Sequence, residues 1–499
     1  MNLNVWVPLA VLGSSLLPGL IIFFLPEDRG ALRTALNMTG AAVKVILVHF
    51  MVYRLLVLGH IHEVEFGMGL GFAFVLRVDF LSLMFLSLSS NLWLVTTLYA
   101  VGYLEVSPNR SRFFGFFSLC VTATTGIAMA GNPLTLFIFY EFLTLVTYPL
   151  VVHRETPAAL RAGRTYLWYT ILGGSLVFVG VVWLQTLAGP LDFTATGVLN
   201  ALGQEYHNTL QVIFCFLIAG FGVKAALVPL HGWLPVAMVA PAPVSALLHA
   251  VAVVKAGAFC IIRTVYDIYG RDFAGELGLL GPLAAAATLT ILFGSLQAIA
   301  QTDLKKRLAY STVSQVSYIT LGTALISTFS TVGAIVHLVH QGIMKITLFF
   351  CAGNIAETLE LHDIREMKGV ARRMPLTAAL FSLAALGMIG VPPLAGFVSK
   401  WYLGLGGLSA GQGWVIGVLV LSSLLNAVYF LPIISTLWFE EPDRQWESFR
   451  QSKLETPWTL LFPPVFTAMA SLLAGLFAAW PWSPLGVARQ IAVGMGIGP

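Results

Sequence analysis

Apolar runs of about twenty residues, parted by short polar breaks, follow one another from one end of the chain to the other. They lie near 5–25, 34–53, 78–104, 113–130, 134–152, 165–187, 208–230, 242–262, 276–300, 308–326, 330–352, 375–405, 413–437 and 458–480. A run of this length crosses about 30 Å of hydrocarbon at 1.5 Å rise per residue. The pattern therefore predicts an all-α membrane protein of about 14 transmembrane helices, with one polytopic domain over 1–499 and nothing left over for a soluble one. The first run has no basic residue before it and Glu27, Asp28 and Arg29 after it, the wrong polarity for a cleavable signal peptide, so it reads as the first span.

Two runs do not fit a straight helix, and each pairs a lysine with prolines. Lys224 precedes Pro229 and Pro235, and Lys400 follows Pro392 and Pro393 in a run too long for one span. Proline removes a backbone donor and clashes with the preceding turn. At membrane depth such a break survives only where protein or a wet cavity satisfies the freed groups. The two broken helices are the seventh and twelfth spans, five apart. Paired interruptions of this kind point to inverted repeats around an ion path, here a five-helix unit over 113–264 (spans 4–8) and another over 276–437 (spans 9–13).

Composition agrees with a life in lipid: 58% of the 499 residues are hydrophobic, 10% are charged, and the mean hydropathy is +0.85. The net charge of +4 is spread over many short loops and does not form a nucleic-acid patch. Its placement predicts orientation. Loops after odd-numbered spans hold 17 lysines and arginines, among them Arg444, Arg450 and Lys453, whereas the other side holds Arg54, Arg77, Arg263, Arg271 and Arg489. The positive-inside rule puts the first group in the cytoplasm and both termini on the non-cytoplasmic side. Cys120, Cys215, Cys260 and Cys351 fall in separate apolar runs without metal-binding spacing, and are expected to be small core residues.

Five basic residues remain inside spans, and all are lysines: Lys44, Lys224, Lys255, Lys345 and Lys400. Only Glu141 is an acid deep in a span, while Asp79, Asp303 and Glu357 sit near predicted helix ends. A lysine at the centre of a membrane helix costs roughly 2.5 to 3.5 kcal/mol on insertion scales, so several in one chain make function the default reading. Glu141 and Lys224 are expected to form an ion pair whose opening or closing loads or releases a proton; the structural alternative is a static pair that locks helix packing. On one helix at 100° per residue, His337, His340, Gln341 and Lys345 share an arc of about 140°, suited to a proton wire or, more blandly, to satisfying backbone groups. His249 and Lys255, six apart on the eighth span, are expected on different faces, linking two polar pockets. His231, just past the seventh-span break, is a candidate for a cytoplasmic access route or a loop cap. Lys44 is expected to snorkel or pack, and Asp79, two residues after Arg77, to cap a helix start or act in function.

At these residues the chain resembles the antiporter-like membrane subunits shared by complex I and the multisubunit cation/proton antiporters. The resemblance rests on Tyr140-Glu-Phe-Leu, on VKAALVPLHGWLPVAMVAPAPVSALLHAVAVVKAG from Val223 to Gly257, and on QTDLKKRLAYSTVSQVSYI from Gln301 to Ile319. HLVHQGIMKITLFF from His337 to Phe350 and GVPPLAGFVSK from Gly390 to Lys400 complete it. It implies fourteen core helices with the two inverted units, Glu141 and Lys224 as the modulating pair, Lys255 on the central polar axis and Lys400 as the terminal proton-handling residue. His337, His340 and Lys345 match the family's polar positions on the eleventh span. Lysine at 400 is unlike the complex I subunit type with a glutamate there, and His249 together with Lys255 is unlike the type with histidine alone. Val236 stands where many relatives have an acid. The chain ends soon after the fourteenth span, without the long lateral helix of the largest complex I relative, and so looks more like a D-type antiporter subunit or a shorter complex I subunit.

The expected function is a proton-translocating subunit of a multisubunit Na+/H+ antiporter, or alternatively of a redox-driven, complex I-like NADH/quinone oxidoreductase. A single-chain solute transporter is the weaker reading. No cofactor, metal site or catalytic centre of its own is expected; the partners are other membrane subunits, protons, the bilayer and, as an open question, sodium. A haem carrier is disfavoured because His337 and His340, three apart on one helix, cannot be opposite axial ligands of one haem.

Overall fold

The computed structural model describes residues 3–69, 71–105, 107–200, 202–443 and 454–497. Arg444, Arg450 and Lys453, which carried part of the orientation argument, lie outside them. The chain is helical almost throughout, with α1 (Leu3–Phe23), α2 (Gly30–Leu58), α3 (Phe80–Tyr103), α4 (Arg110–Met129), α5 (Pro133–Val151), α6 (Pro157–Ala188) and α7 (His207–Ala225). The short α8 (Trp233–Val236) leads into α9 (Ala242–Ala246), α10 (Val253–Arg263), α11 (Arg271–Glu276), α12 (Leu280–Ile299), α13 (Leu304–Ala324) and α14 (Thr328–Leu359). The second break separates α15 (Pro375–Ile389) from α16 (Ala395–Ser409), followed by α17 (Trp414–Trp438), α18 (Trp458–Leu476) and α19 (Pro484–Gly494).

Local sequence sets many of these starts. Asn132 and Thr156 accept from the backbone of the following turn, each with proline at the first helical position, where its missing N–H costs nothing. Asp79 and Asp303 cap α3 and α13 in the same way, and Ser327 and Ser330 form a capping box on α14.

Twelve helices among the described residues are long and apolar enough to cross a membrane. α13 and the α15–α16 pair bring the number to fourteen, and the protein is a multi-pass membrane protein. α13 falls short on hydropathy for a physical reason: Ser311, Thr312, Ser314, Gln315 and Ser317 are all fully buried, so its polar face meets protein and never lipid. The span over Ala242–Tyr269 is entirely enclosed and α14 nearly so, whereas only about a third of each of α2, α6 and α17 is buried. The bundle therefore encloses a central set of helices, α3 and α4 among them, behind others that face the lipid.

Both expected breaks are present. α7 stops at Ala225, where Ala226 takes a left-handed conformation (φ 57°), and α15 stops before Gly390 (φ 98°). Freed backbone groups find partners: the Val228 N–H donates to Thr290 Oγ1 at 3.0 Å, and the Trp233 indole donates to the Val223 carbonyl at 2.7 Å.

The structure corrects several expectations. The run at 78–104 is preceded by an antiparallel hairpin, β1 (His62–Gly69) and β2 (Phe72–Val78), paired His62 to Val78. The eighth span is longer than 242–262. It contains π-helical turns at Leu247–Val251 and Thr264–Tyr269, which draw Arg263 and Asp267 into the buried bundle. Cys215 is exposed, although the other three cysteines are buried as expected.

Candidate functional site

Lys224 sits in the last turn of α7 and is fully buried. Its ammonium donates to the Tyr140 carbonyl of α5 and lies 3.3 Å from the centre of the Tyr140 ring. The Tyr140 hydroxyl in turn donates to the Gly220 carbonyl at 2.8 Å, so α5 and α7 are tied twice. Gly257 on α10 makes room for this junction, because a Cβ there would stand 2.7 Å from the Lys224 carbonyl carbon.

The expected Glu141–Lys224 contact is not formed. No oxygen of Glu141 comes within 4.0 Å of Lys224 Nζ, and Oε1 has no hydrogen-bond partner. The half-buried carboxylate instead rests on Gly174 of α6, where an added Cβ would meet its Oε2 at 2.8 Å. Successive residues of a helix point about 100° apart, so Tyr140 can face Lys224 while Glu141 turns toward α6. The pair is present in an open arrangement.

Past the first break the eighth span carries His249 and Lys255, both fully buried and both without a hydrogen-bond partner. The six-residue spacing does not follow a simple 100° wheel, because His249 lies in a π-helical turn and Ala252 breaks the helix at φ −117°, ψ −84°. Such turns concentrate at functional positions. His249 packs on the Phe349 ring, 4.5 Å between centroids.

α14 runs alongside and presents four more buried polar side chains. His337 bonds Ser399 Oγ of α16 at 2.8 Å and the Gln315 carbonyl of α13 at 3.1 Å. Lys345 donates to Ser311 Oγ at 2.8 Å, which also accepts from the Tyr429 hydroxyl at 2.9 Å. His340 lies near the Ala395 backbone without completing a hydrogen bond, and the Gln341 amide has no partner. The amide of Gln315, across on α13, is likewise unpartnered.

Lys400 closes the row at the second break. Its ammonium donates to the Met388 and Ile389 carbonyls at 3.1 and 2.8 Å and to Ser423 Oγ at 3.0 Å. Those carbonyls are available because α15 ends there. Gly390 is needed twice over, for its φ of 98° and because a Cβ would stand 3.0 Å from Lys400 Cδ. Lys400 also lies 5.5 Å from the centre of the Tyr318 ring, which packs edge-on against His337 at 5.3 Å. On its outer side Lys400 opens, with Ser423, into a mainly apolar pocket of about 560 Å³ between α16 and α17.

The structure thus places Glu141, Lys224, His249, Lys255, Lys345, His340, His337 and Lys400 on adjoining helices across the bundle, all but Glu141 buried. No group of three or more metal-ligating side chains occurs among the described residues. His231 is half-buried between the Phe293 and Tyr310 rings, with Nδ1 unpartnered.

Residues 130–426 match the family described as NADH:quinone oxidoreductase/Mrp antiporter, TM. The chain belongs to this family. It is 37% identical over 402 residues to the N-type subunit of NADH-quinone oxidoreductase from Desulforudis audaxviator, covering 77% of this chain and 78% of that one. It is 29% identical over 490 residues to the D-type subunit of the Na(+)/H(+) antiporter from Bacillus subtilis, covering 96% and 95%. A chain in the structure of the Mrp complex from Dietzia sp. shares the fold over the full length of both, with TM-score 0.87 at 22% identity. The family segment contains all eight residues of the row.

Other polar residues were not singled out from the sequence. Hydroxyls and carbonyls that hold the lysines, such as Ser311, Ser423 and the Tyr140 carbonyl, carry no motif. Arg263 is different: it donates to Asp79 at 2.5 and 2.9 Å and to Asp267 at 2.6 Å, while buried to 1% exposure. The i, i+4 spacing of Arg263 and Asp267 was visible in the sequence and was hidden by ending the span too early. Asp79 therefore both caps α3 and anchors the enclosed span.

Proposed function

We propose that this chain is the proton-translocating membrane subunit of a multisubunit Na+/H+ antiporter, moving protons along the buried row from Glu141 and Lys224 through Lys255 and α14 to Lys400. One observation carries the reading: each lysine of the row is buried without a carboxylate contact, held by hydroxyls or carbonyls or by nothing. A carboxylate would hold an ammonium in its charged form. Hydroxyls accept from an ammonium and donate to a neutral amine, so Lys345 and Lys400 keep a partner in both protonation states. The partnerless groups, Lys255, His249, His340, Gln341 and Gln315, lie where hydrogen-bonding water bridges are required, since buried polar groups rarely go unpaired. Two inverted units, 113–264 and 276–437, are supported by the equivalent placement of the two breaks and their lysines.

The name of the B. subtilis relative and the full-length coverage favour the antiporter. A redox-driven, complex I-like assembly is the second reading, favoured by the higher identity to the D. audaxviator relative. The cargo gradient and copurifying subunits distinguish them. The loop charges support a cell-membrane topology with both termini outside the cytoplasm, which thiol labelling of cysteines placed at each end would read directly.

The test is reconstitution of the assembled complex in proteoliposomes with an internal pH dye. Lys224→Ala is expected to slow proton movement by about a hundredfold, the low end of what a positioned proton-transfer group contributes. Ordinary rates in that variant overturn the route.

A further inference from the structure

Lys44 lies on α2, outside both repeat units and outside the row. Of the two expected roles, snorkelling is ruled out, because the side chain is fully enclosed, at 1% exposure. Its ammonium donates to Ser15 Oγ of α1 at 2.8 Å and Thr125 Oγ1 of α4 at 2.7 Å, and faces the Trp93 ring of α3 at 5.4 Å. The three helices packed around it bring no acid: α1 and α3 contain no charged residue, and the only charges of α4 are Arg110 and Arg112 at its far end.

A polar seam connects this site to the Glu27 end of the bundle. Arg33, Asn37 and Lys44 follow one face of α2, and Ser111, Ser118, Thr122 and Thr125 follow the facing stripe of α4. Arg33 donates to Ser111 Oγ at 2.8 Å, Ser118 Oγ donates to Asn37 Oδ1 at 2.9 Å, and Ser15 Oγ meets Thr122 Oγ1 at 2.8 Å. All of these side chains are buried. A lysine needed only for packing would require no such seam through three apolar helices.

We propose that Lys44 is a further proton-carrying site, loaded from the aqueous phase at the Glu27 end of the seam. This rests on the proton-translocating reading above. The step is an acid–base exchange: the Lys44 amine takes a proton from hydronium, giving an ammonium and water, and returns it by the reverse. Its partners suit both states, because Ser15 and Thr125 hydroxyls can accept from the ammonium or donate to the amine, the arrangement also found at Lys345 with Ser311 and at Lys400 with Ser423. α4 touches both this site and a helix of the row. Thr125 holds Lys44, while Cys120 on another face of α4 meets Thr147 of α5 at 3.4 Å, on the Lys224 side.

The test compares Lys44→Met, permanently neutral, with Lys44→Arg, permanently charged, in the assembled complex in proteoliposomes, alongside Lys224→Ala. A titrating site predicts that both Lys44 variants slow proton movement by roughly tenfold, the factor of one pH unit, with assembly intact. Wild-type rates in Lys44→Met overturn the proposal, and wild-type rates in Lys44→Arg alone reduce Lys44 to a fixed charge and overturn it too. If Lys224→Ala is defective while both Lys44 variants are normal, this inference fails and the main reading stands; if all three are normal, the main reading fails. Should the Lys44 variants not assemble, Thr125→Val is expected to displace the pH profile of transport and Thr125→Ser to leave it in place. Superimposable profiles for those two overturn the proposal.

Discussion

Replacing Glu141 by glutamine removes a charge and keeps the shape that rests on Gly174. The carboxylate stands beyond 4.0 Å from the Lys224 ammonium, yet Lys224 is the charge that acts on it. At an effective dielectric near 20, opposite unit charges attract by about 4 kcal/mol at 4 Å and by about 2 kcal/mol at 8 Å. Taking about 4 to 8 Å as the working range for the open pair sets the size of the coupling to be tested. At 1.36 kcal/mol for each tenfold step, losing it shifts the balance between charged and neutral Lys224 by roughly 30-fold to 1,000-fold against the charge. Glu141→Gln should slow proton movement in proteoliposomes by at least the lower factor and shift the pH at which transport is fastest. Glu141→Asp, which keeps the charge, should retain most activity. A Glu141→Gln complex whose rate and pH profile both superimpose on the wild type would refute the reasoning, because no coupling of this size could then exist.

Gly174→Ala should push the Glu141 side chain aside by about an ångström, since an added Cβ would stand 2.5 Å from its Cδ, and give a transport defect milder than Glu141→Gln with helix content unchanged by circular dichroism. Ser423→Ala removes one of three acceptors of Lys400 and should slow transport modestly, whereas Lys400→Met should nearly abolish it in the same assay. Arg263→Met leaves Asp79 and Asp267 facing each other without their shared partner, a loss of about 3 to 5 kcal/mol for a broken buried pair; the detergent-purified complex should melt earlier, and Asp79→Asn with Asp267→Asn should recover part of the loss. His153, in the loop after α5, is pushed down from the usual 6.5 to about 4 by burial against Phe113 and by the nearby Arg112 guanidinium. The unfolded chain then binds a proton that the folded chain refuses, so its contribution to stability is whole above about pH 6.5 and is lost as pH falls toward 4. Thermal melts of His153→Phe should lack that part of the acid dependence.

The spans were legible because lipid imposes a minimum apolar length, and the breaks because proline beside lysine has few other uses at that depth. Hidden features share a cause, which is that they depend on partners distant in sequence. Glu141 and Lys224 were paired on charge alone, but the choice between Lys224 and Gly174 as the neighbour of Glu141 is made by how α5 rotates against α6. α13 was legible as the span at 308–326 from its length, although its polar face stays out of lipid only because its serines face α12 and α14. Lys44 read as a snorkelling or packing residue because the seam that receives it is built from single hydroxyls on α1 and α4, each unremarkable in its own helix. The π-helical turns around His249 and after Arg263 leave no compositional trace, and that is why the eighth span was ended at 262 and the Arg263 cluster passed over.

Lys255 is the most direct probe of a relay made from buried amines, since it sits mid-row, fully enclosed and held by no other side chain. The measurement is the initial rate of proton movement by the assembled complex carrying Lys255→Met in sealed proteoliposomes. The relay predicts a loss of about a hundredfold or more with normal assembly; a rate equal to that of the unmodified complex would mean that protons do not travel through this row.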